Sequence, residues 1–279
     1  MTILPDQPRI VLNDERSIPQ IGLGVWQTPA DATAQAVSAA LQTGYRHVDT
    51  AAVYGNEQGV GEGVRRSGVS RGDVFVTTKI WNSAQGFDST LRACETSLKK
   101  LQFSAVDLLL IHWPDPRRNL FVDTWRALIR LRDEGKALSI GVSNFNGDHL
   151  DRIIGETGVT PTLNQIELHP NFQQRALVAA NAERGVKTQS WSPLGRGALF
   201  QDPTIVALAE KLGRTPAQVI TRWHIEHDFI VIPKSADPGR IASNFQVFDF
   251  EFEAADMAAI DALDLTDGRR GPDPLTANF

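Results

Sequence analysis

Residues 45–57 read Tyr45-Arg46-His47-Val48-Asp49-Thr50-Ala51-Ala52-Val53-Tyr54-Gly55-Asn56-Glu57, and the way this stretch folds decides how the rest of the chain is arranged. Its first part reads as a buried strand that carries an acid, Asp49, at its end. Five residues later comes a tyrosine, and Gly55-Asn56-Glu57 forms a turn into a helix. An acid at a strand end and a phenol at the next helix entrance are unusual in a mere connection. In a barrel of alternating strands and helices, that rim is where reacting groups collect.

Outward from this stretch the alternation continues in both directions. Strands are predicted at 21–26, 47–49, 74–80, 106–112, 138–142, 163–167, 186–191 and 229–232. Helices are predicted at 31–42, 57–66, 89–101, 120–132, 149–156, 175–184, 204–212, 216–226 and 254–263. The almost wholly apolar run 106–112 suits a strand buried on both faces. Thr215-Pro216 is a helix start, with a capping threonine and a proline in the first turn. Residues 10–14 and 17–19 form a small hairpin ahead of the first strand. Eight strand–helix alternations in about 250 residues match an α/β fold, a single (β/α)8 TIM barrel with an N-terminal β-hairpin. One domain over 1–279 is expected, with the barrel at 10–265 and a C-terminal loop, 266–279, over the active-site rim. A doubly wound sheet is the alternative, but Gly22-x-Gly24 runs into Trp26 without the third glycine of a dinucleotide fingerprint.

Composition narrows the setting. The 279 residues carry a net charge of −5 from 28 basic and 33 acidic side chains, with no long run of either sign. That disfavours a nucleic-acid or membrane-surface binder. One cysteine, Cys94, excludes an internal disulfide and suits a reducing cytosol. No signal peptide or membrane span is legible, so a cytoplasmic protein is expected.

The strand ends hold the chemistry. Asp49 ends the second strand, Lys79 the third and His112 the fourth; Ser143-Asn144, Gln165, Trp191-Ser192 and Lys234-Ser235 end the later ones. A lysine after an apolar strand needs a carboxylate partner, and Asp49 is the neighbour at the same height. Lys79 is expected to lower the pKa of Tyr54 and so make it a general acid for a developing alkoxide. His112 is expected to donate a hydrogen bond to the same oxygen. Each residue alone has a bland reading as packing or ion pairing, but the four together suit carbonyl reduction.

These segments resemble the aldo-keto reductases, NADPH-linked oxidoreductases on a (β/α)8 barrel, and within them short prokaryotic members of the 2,5-diketo-D-gluconate reductase type. The matching runs are 44–51 with 54–57, Lys79-Ile80-Trp81-Asn82, 107–114, 140–145, Asn164-Gln165-Ile166-Glu167-Leu168-His169-Pro170, and Ile232-Pro233-Lys234-Ser235 with Arg240 and Asn244. The resemblance implies a catalytic tetrad of Asp49, Tyr54, Lys79 and His112. It implies that Ser143, Asn144 and Gln165 hold the nicotinamide carboxamide of NADPH/NADP+ and that Trp191 stacks on its ring. Ser192, Pro193 and Leu194 would follow the pyrophosphate, Lys234, Ser235 and Arg240 receive the 2′-phosphate, and Asn244 meet the adenine. It also favours a monomer.

Two departures from the family pattern stand out. Ser243 occupies a position where many relatives have a glutamate, and Asp237 lies in a turn beside the phosphate site. Both imply a looser hold on NADPH and some tolerance of NADH.

Trp26, Trp81 and Trp113, with Asn82, are expected to line the pocket of a small-molecule carbonyl substrate: an aldehyde, ketone, dicarbonyl or keto-sugar. The brief tail implies an open pocket and broad specificity. Two other functions fit less well. A non-enzymatic NADPH-binding or redox-sensing subunit would not need the intact tetrad. A metal-dependent barrel hydrolase could use His47-x-Asp49 but lacks further ligands beyond His112 and His169, so no metal is expected. His224 and His227 read as a solvated helix face.

Overall fold

The computed structural model describes residues 7–277 and 279; residues 1–6 and 278, which the expected domain and its tail include, lie outside the described residues. Its central sheet runs in chain order through β3 (Leu23–Gly24), β4 (His47–Asp49), β5 (Phe75–Ile80), β6 (Val106–Ile111), β7 (Ala137–Ser143), β8 (Leu163–Glu167), β9 (Lys187–Trp191) and β10 (Ile230–Val231), each parallel to the next. Bridges from Ile21 to Val231 and from Gly24 to Lys234 join the first edge to the last, which closes the sheet into a (β/α)8 barrel. The seam explains a glycine: a Cβ on Gly24 would lie 2.9 Å from the carbonyl oxygen of Ile232.

The crossovers are α1 (Ala30–Thr43), α2 (Glu57–Ser67), α3 (Phe87–Leu101), α4 (Phe121–Asp133), α5 (Gly147–Thr157), α6 (Arg175–Glu183), α7 (Pro203–Leu212), α8 (Pro216–Glu226), α9 (Pro238–Phe245) and α10 (Ala254–Asp261). Local chemistry sets their ends. Thr215 and Gln218 form the capping box of α8, and Asp202 caps α7 ahead of Pro203. Most predicted elements fall within two residues of the observed ones. Helix α9 is the one the sequence reading omits. Pro238-Gly239 looks like a turn, but Asp237 accepts a hydrogen bond from the Arg240 amide and so starts a helix at that proline.

The hairpin β1 (Arg9–Val11) with β2 (Ser17–Pro19) plugs the barrel bottom. Its Leu12 and Ile18 pack with Phe75, Leu108, Leu110, Leu163 and Ile230, side chains on the inward face of their strands. Each such burial contributes roughly 1.5–3 kcal/mol. Above this apolar layer the inward positions turn polar, and the site is built there.

Candidate active site

Strand parity assembles the floor of the site. Side chains alternate across a strand, so His47 and Asp49 of β4 point inward together, as do Thr77 and Lys79 of β5 and Gln165 and Glu167 of β8. Asp49 is in register with Thr77, and Gln165 with both Ser143 and Gln189. Lys79 Nζ then donates to Asp49 Oδ1 at 2.5 Å, to the Thr50 carbonyl at 2.9 Å and to the Tyr54 hydroxyl at 3.4 Å. Asp49 Oδ2 accepts from Gln165 Nε2 at 2.8 Å, and the same Nε2 donates to Gln189 Oε1. Lys79 is wholly buried and Asp49 nearly so. Such a pair holds because each charge answers the other.

The electrostatics follow from this burial. Lys79 loses solvation, which lowers its pKa, but Asp49 and then Tyr54 outweigh that, so it stays charged. For Tyr54 the expectation is corrected. Burial is the dominant influence and raises its pKa above the ordinary 10.0, with Lys79 opposing only in part. The phenol therefore keeps its proton. Because Lys79 can only donate, its bond to the phenol oxygen leaves the phenolic O–H free for another acceptor. His112 is buried too, and desolvation followed by the Lys79 charge takes its pKa well below 6.5, so the ring is neutral. Its ring centroid lies 5.7 Å from that of Tyr54, edge-on, and 5.0 Å from Trp81.

A cleft of about 1240 Å³ opens above this floor. Ser143, Asn144 and Gln165 line its wall, with Trp191 beside them donating from Nε1 to Asn144 Oδ1 at 2.8 Å. Ser192, Pro193 and Leu194 continue the wall, and Lys234, Ser235, Arg240 and Asn244 form the far end. Asp237, which the sequence places beside this end, has a defined local role. Its carboxylate is turned onto the Arg240 amide as the cap of α9, so the cations offered to a phosphate at this end are the side chains of Lys234 and Arg240. The donor set fits a nicotinamide dinucleotide phosphate laid from the Trp191 shelf to this end.

Trp26, Trp81 and Trp113, expected at the substrate, all line the cleft, whereas Asn82 does not. Asn82 sits in a 3-10 turn after β5, buried, with Arg118 donating to its carbonyl. Its side chain is not part of the cleft lining in this structure. Several lining residues escape the sequence reading, among them Val53, Arg196, Phe200 and Phe279. The Arg196 guanidinium lies 5.5 Å from the Trp26 ring centre, and Phe279 lies 5.2 Å from Trp81 and 5.0 Å from Trp113. The tail thus narrows the substrate end, where the sequence implies an open one. Nothing local in a Gly/Pro/Asp-rich tail signals that contact.

Three further histidines, His47, His224 and His227, are structural. His47 Nε2 faces Thr77 Oγ1 at 3.4 Å, below an Asp49 already bonded to Lys79 and Gln165. His224 is not on a solvated face: it is fully buried, between Ser190 Oγ and the Pro193 carbonyl. His227 meets Asp261 at 2.9 Å.

Comparison with known proteins places this geometry among relatives. The model of the Aldo/keto reductase family matches residues 20–265. An aldo-keto reductase of Mycolicibacterium smegmatis is 56% identical over 272 residues, covering 98% of both chains. The methylglyoxal reductase DkgA of Escherichia coli is 48% identical over 268 residues, covering 95% of this chain and 96% of that one. Among solved structures, a Gox0644 variant in complex with NADPH is 51% identical with a TM-score of 0.95, covering 99% of this chain and all of that one.

Proposed function

From the premise that the chain belongs to the aldo/keto reductase family, we propose that Tyr54 is the general acid of an NADPH-dependent carbonyl reduction, with Lys79 and Asp49 behind it. The enzyme is an NADP-linked oxidoreductase. When bound, the cofactor supplies a hydride from its nicotinamide to the carbonyl carbon. The protein orients the reactants and handles the proton. Tyr54 donates its phenolic proton to the carbonyl oxygen as charge builds there, and Lys79 stabilises the phenolate that remains. Asp49 keeps Lys79 charged and in place. The neutral His112 offers a ring N–H to the same oxygen. The observation that carries this reading is the Asp49–Lys79–Tyr54 chain of hydrogen bonds, which ends with the phenol facing the cleft.

The substrate end supports small, uncharged carbonyls. Trp26, Trp81, Trp113, Val53 and Phe279 make it aromatic and apolar, a setting that excludes water and strengthens the polar contacts. The relatives named methylglyoxal reductases make α-dicarbonyls the first substrates to try. We further take the chain as one domain, active as a cytoplasmic monomer. The buried thiol of Cys94, its pKa pushed up to about 12 by burial, suits a reducing compartment. Among the described residues no helix is long and apolar enough to cross a membrane.

The test is NADPH oxidation against a panel of small aldehydes, ketones and α-dicarbonyls, for wild type and Tyr54→Phe in parallel, with NADH as control. Turnover that collapses in the phenylalanine variant while NADPH still binds is expected. A wild type that binds NADPH tightly but reduces none of them would instead make the chain a cofactor-binding subunit.

A further inference from the structure

One buried acid takes no part in the proton chemistry. Glu167 ends β8 two residues beyond Gln165, so it faces inward, in register with Trp191. Its side chain is fully buried, yet every bond it makes leads away from the reacting groups. Oε1 lies 3.0 Å from His169 Nε2 and accepts from the Arg270 amide at 2.7 Å, while Oε2 accepts from the Gly271 amide at 2.8 Å. His169 is itself buried, its Nδ1 2.7 Å from Asn171 Oδ1. Burial tends to raise the Glu167 pKa, but the bonds from His169, Gly271 and Arg270 outweigh it and hold the carboxyl below the usual range. A charged carboxylate thus grips the main chain of the tail.

The grip has consequences on both sides of the cleft. A Cβ on Gly271 would lie 2.3 Å from Trp191 Cη2, so the tail backbone is packed directly on the indole. The tail is also pressed onto the loop after β8, where a Cβ on Gly268 would lie 1.7 Å from the Asn171 carbonyl oxygen. Trp191 is therefore fixed twice, by Asn144 at its nitrogen and by the tail at its six-membered ring. From this anchor the chain delivers Pro272 to the cleft wall and Phe279 to Trp81 and Trp113.

We propose that Glu167 is a positioning residue for both halves of the cleft: by clamping Arg270 and Gly271 it braces Trp191 on the cofactor side and seats Phe279 on the substrate side. The proposal rests on the reading of Trp191 as the shelf for the nicotinamide. It makes cofactor affinity and carbonyl affinity depend on one carboxylate that touches neither ligand.

The experiment compares full-length wild type, Glu167→Gln, Gly271→Ala and the double variant. NADPH Kd is read by fluorescence titration, KM and kcat with a small α-dicarbonyl, and amide exchange over residues 268–274 without ligand. In Glu167→Gln one amide N–H must face an NH2 group. NADPH Kd and carbonyl KM are expected to rise about five- to tenfold, the scale of one ordinary hydrogen bond because the lost bond reaches the ligands only through the tail, with kcat kept within about threefold because no reacting group moves. The double variant should be no worse than the poorer single one, as for two changes to a single strap. Faster exchange over 268–274 supports the clamp irrespective of any ligand. Unchanged exchange, additive effects, or a fall in Tm with Kd and KM unmoved would overturn it. A wild type that reduces no carbonyl would sink the catalytic reading alone, leaving the exchange result to decide the clamp.

Discussion

At the floor of the cleft Lys79 is wholly buried against Asp49, whereas at the far end Lys234 and Arg240 stand in solvent, the first on the bridge that closes the barrel and the second on a short helix. The same charge type is used under two regimes. In the interior, removing either partner leaves an uncompensated ion in a poor solvent, so fold and chemistry share one interaction. At the phosphate end water and salt screen the free cations, and their value appears only when a doubly charged ligand arrives. The floor should therefore be fragile to any change, and the far end tolerant in stability but sensitive in ligand choice.

The largest expected effect breaks the floor. Lys79→Met strands Asp49 with only Gln165 as a donor, and should cost about 3–5 kcal/mol in chemical denaturation. It should also lower kcat at least about 10²-fold, the scale of lost general-acid support. Adding Asp49→Asn removes the stranded charge, so the double variant should regain stability while kcat stays low. If stability and activity recovered together, the floor would be acting through structure alone.

The interior regime extends to histidines kept neutral by burial. His47 and His224 have pKa values lowered to about 3, chiefly by desolvation, and that of His112 is lowered well below 6.5. The unfolded chain protonates each below about 6.5 while the folded one does not, so the unfolded state binds more protons and stability falls with pH in that window. Each should contribute up to about 1.4 kcal/mol of loss per pH unit, or about 2 kcal/mol for His224 alone by pH 5. Urea midpoints at pH 7 and pH 5 for wild type and His224→Gln measure it. An equal pH slope in both proteins would count against the assignment.

At the other end, Arg240→Ala should raise the NADPH Kd about ten- to a hundredfold, as for one lost charged hydrogen bond, and leave NADH nearly unchanged. Its folding stability should shift by no more than about 0.5 kcal/mol, since no ion pair is broken. The NADPH effect should shrink as salt is raised. Equal losses for both cofactors would place Arg240 away from the 2′-phosphate.

The two regions also differ in how much of them the sequence reveals. The floor is legible because strand parity is a local rule: once β4, β5 and β6 are placed, Asp49, Lys79 and His112 must converge. The far end depends on α9, whose opening Pro238-Gly239 resembles a turn until Asp237 is recognised as its cap. Depth of burial is not local either. The direction of the Tyr54 shift is set by desolvation rather than by Lys79, and His224 is hidden although its i, i+3 partner His227 is half open. Asn82 has the right neighbours in sequence but is buried in a 3-10 turn outside the cleft lining. Phe279 reaches Trp81 through long-range contacts of the tail, at Glu167 and at Arg117, that no local pattern announces.

The smallest expected effect is a flat line, and it sharpens the comparison most directly. If the floor is as dry as its geometry requires, neither proton-bearing group near the carbonyl should titrate in the working range. His112 stays neutral far below 6.5, and Tyr54, raised above 10.0 by burial, stays protonated well into alkali. With NADPH saturating, kcat for reduction should vary less than about twofold between about pH 6 and pH 9 and fall only where Tyr54 loses its proton, since the acid form is the one that reacts. A step near pH 6.5 would mean that His112 is solvated and charged in the working enzyme. A decline beginning near pH 8 would mean that Lys79 outweighs desolvation at the phenol, as its charge alone suggests. Either result would move the floor toward the solvated regime of Lys234 and Arg240.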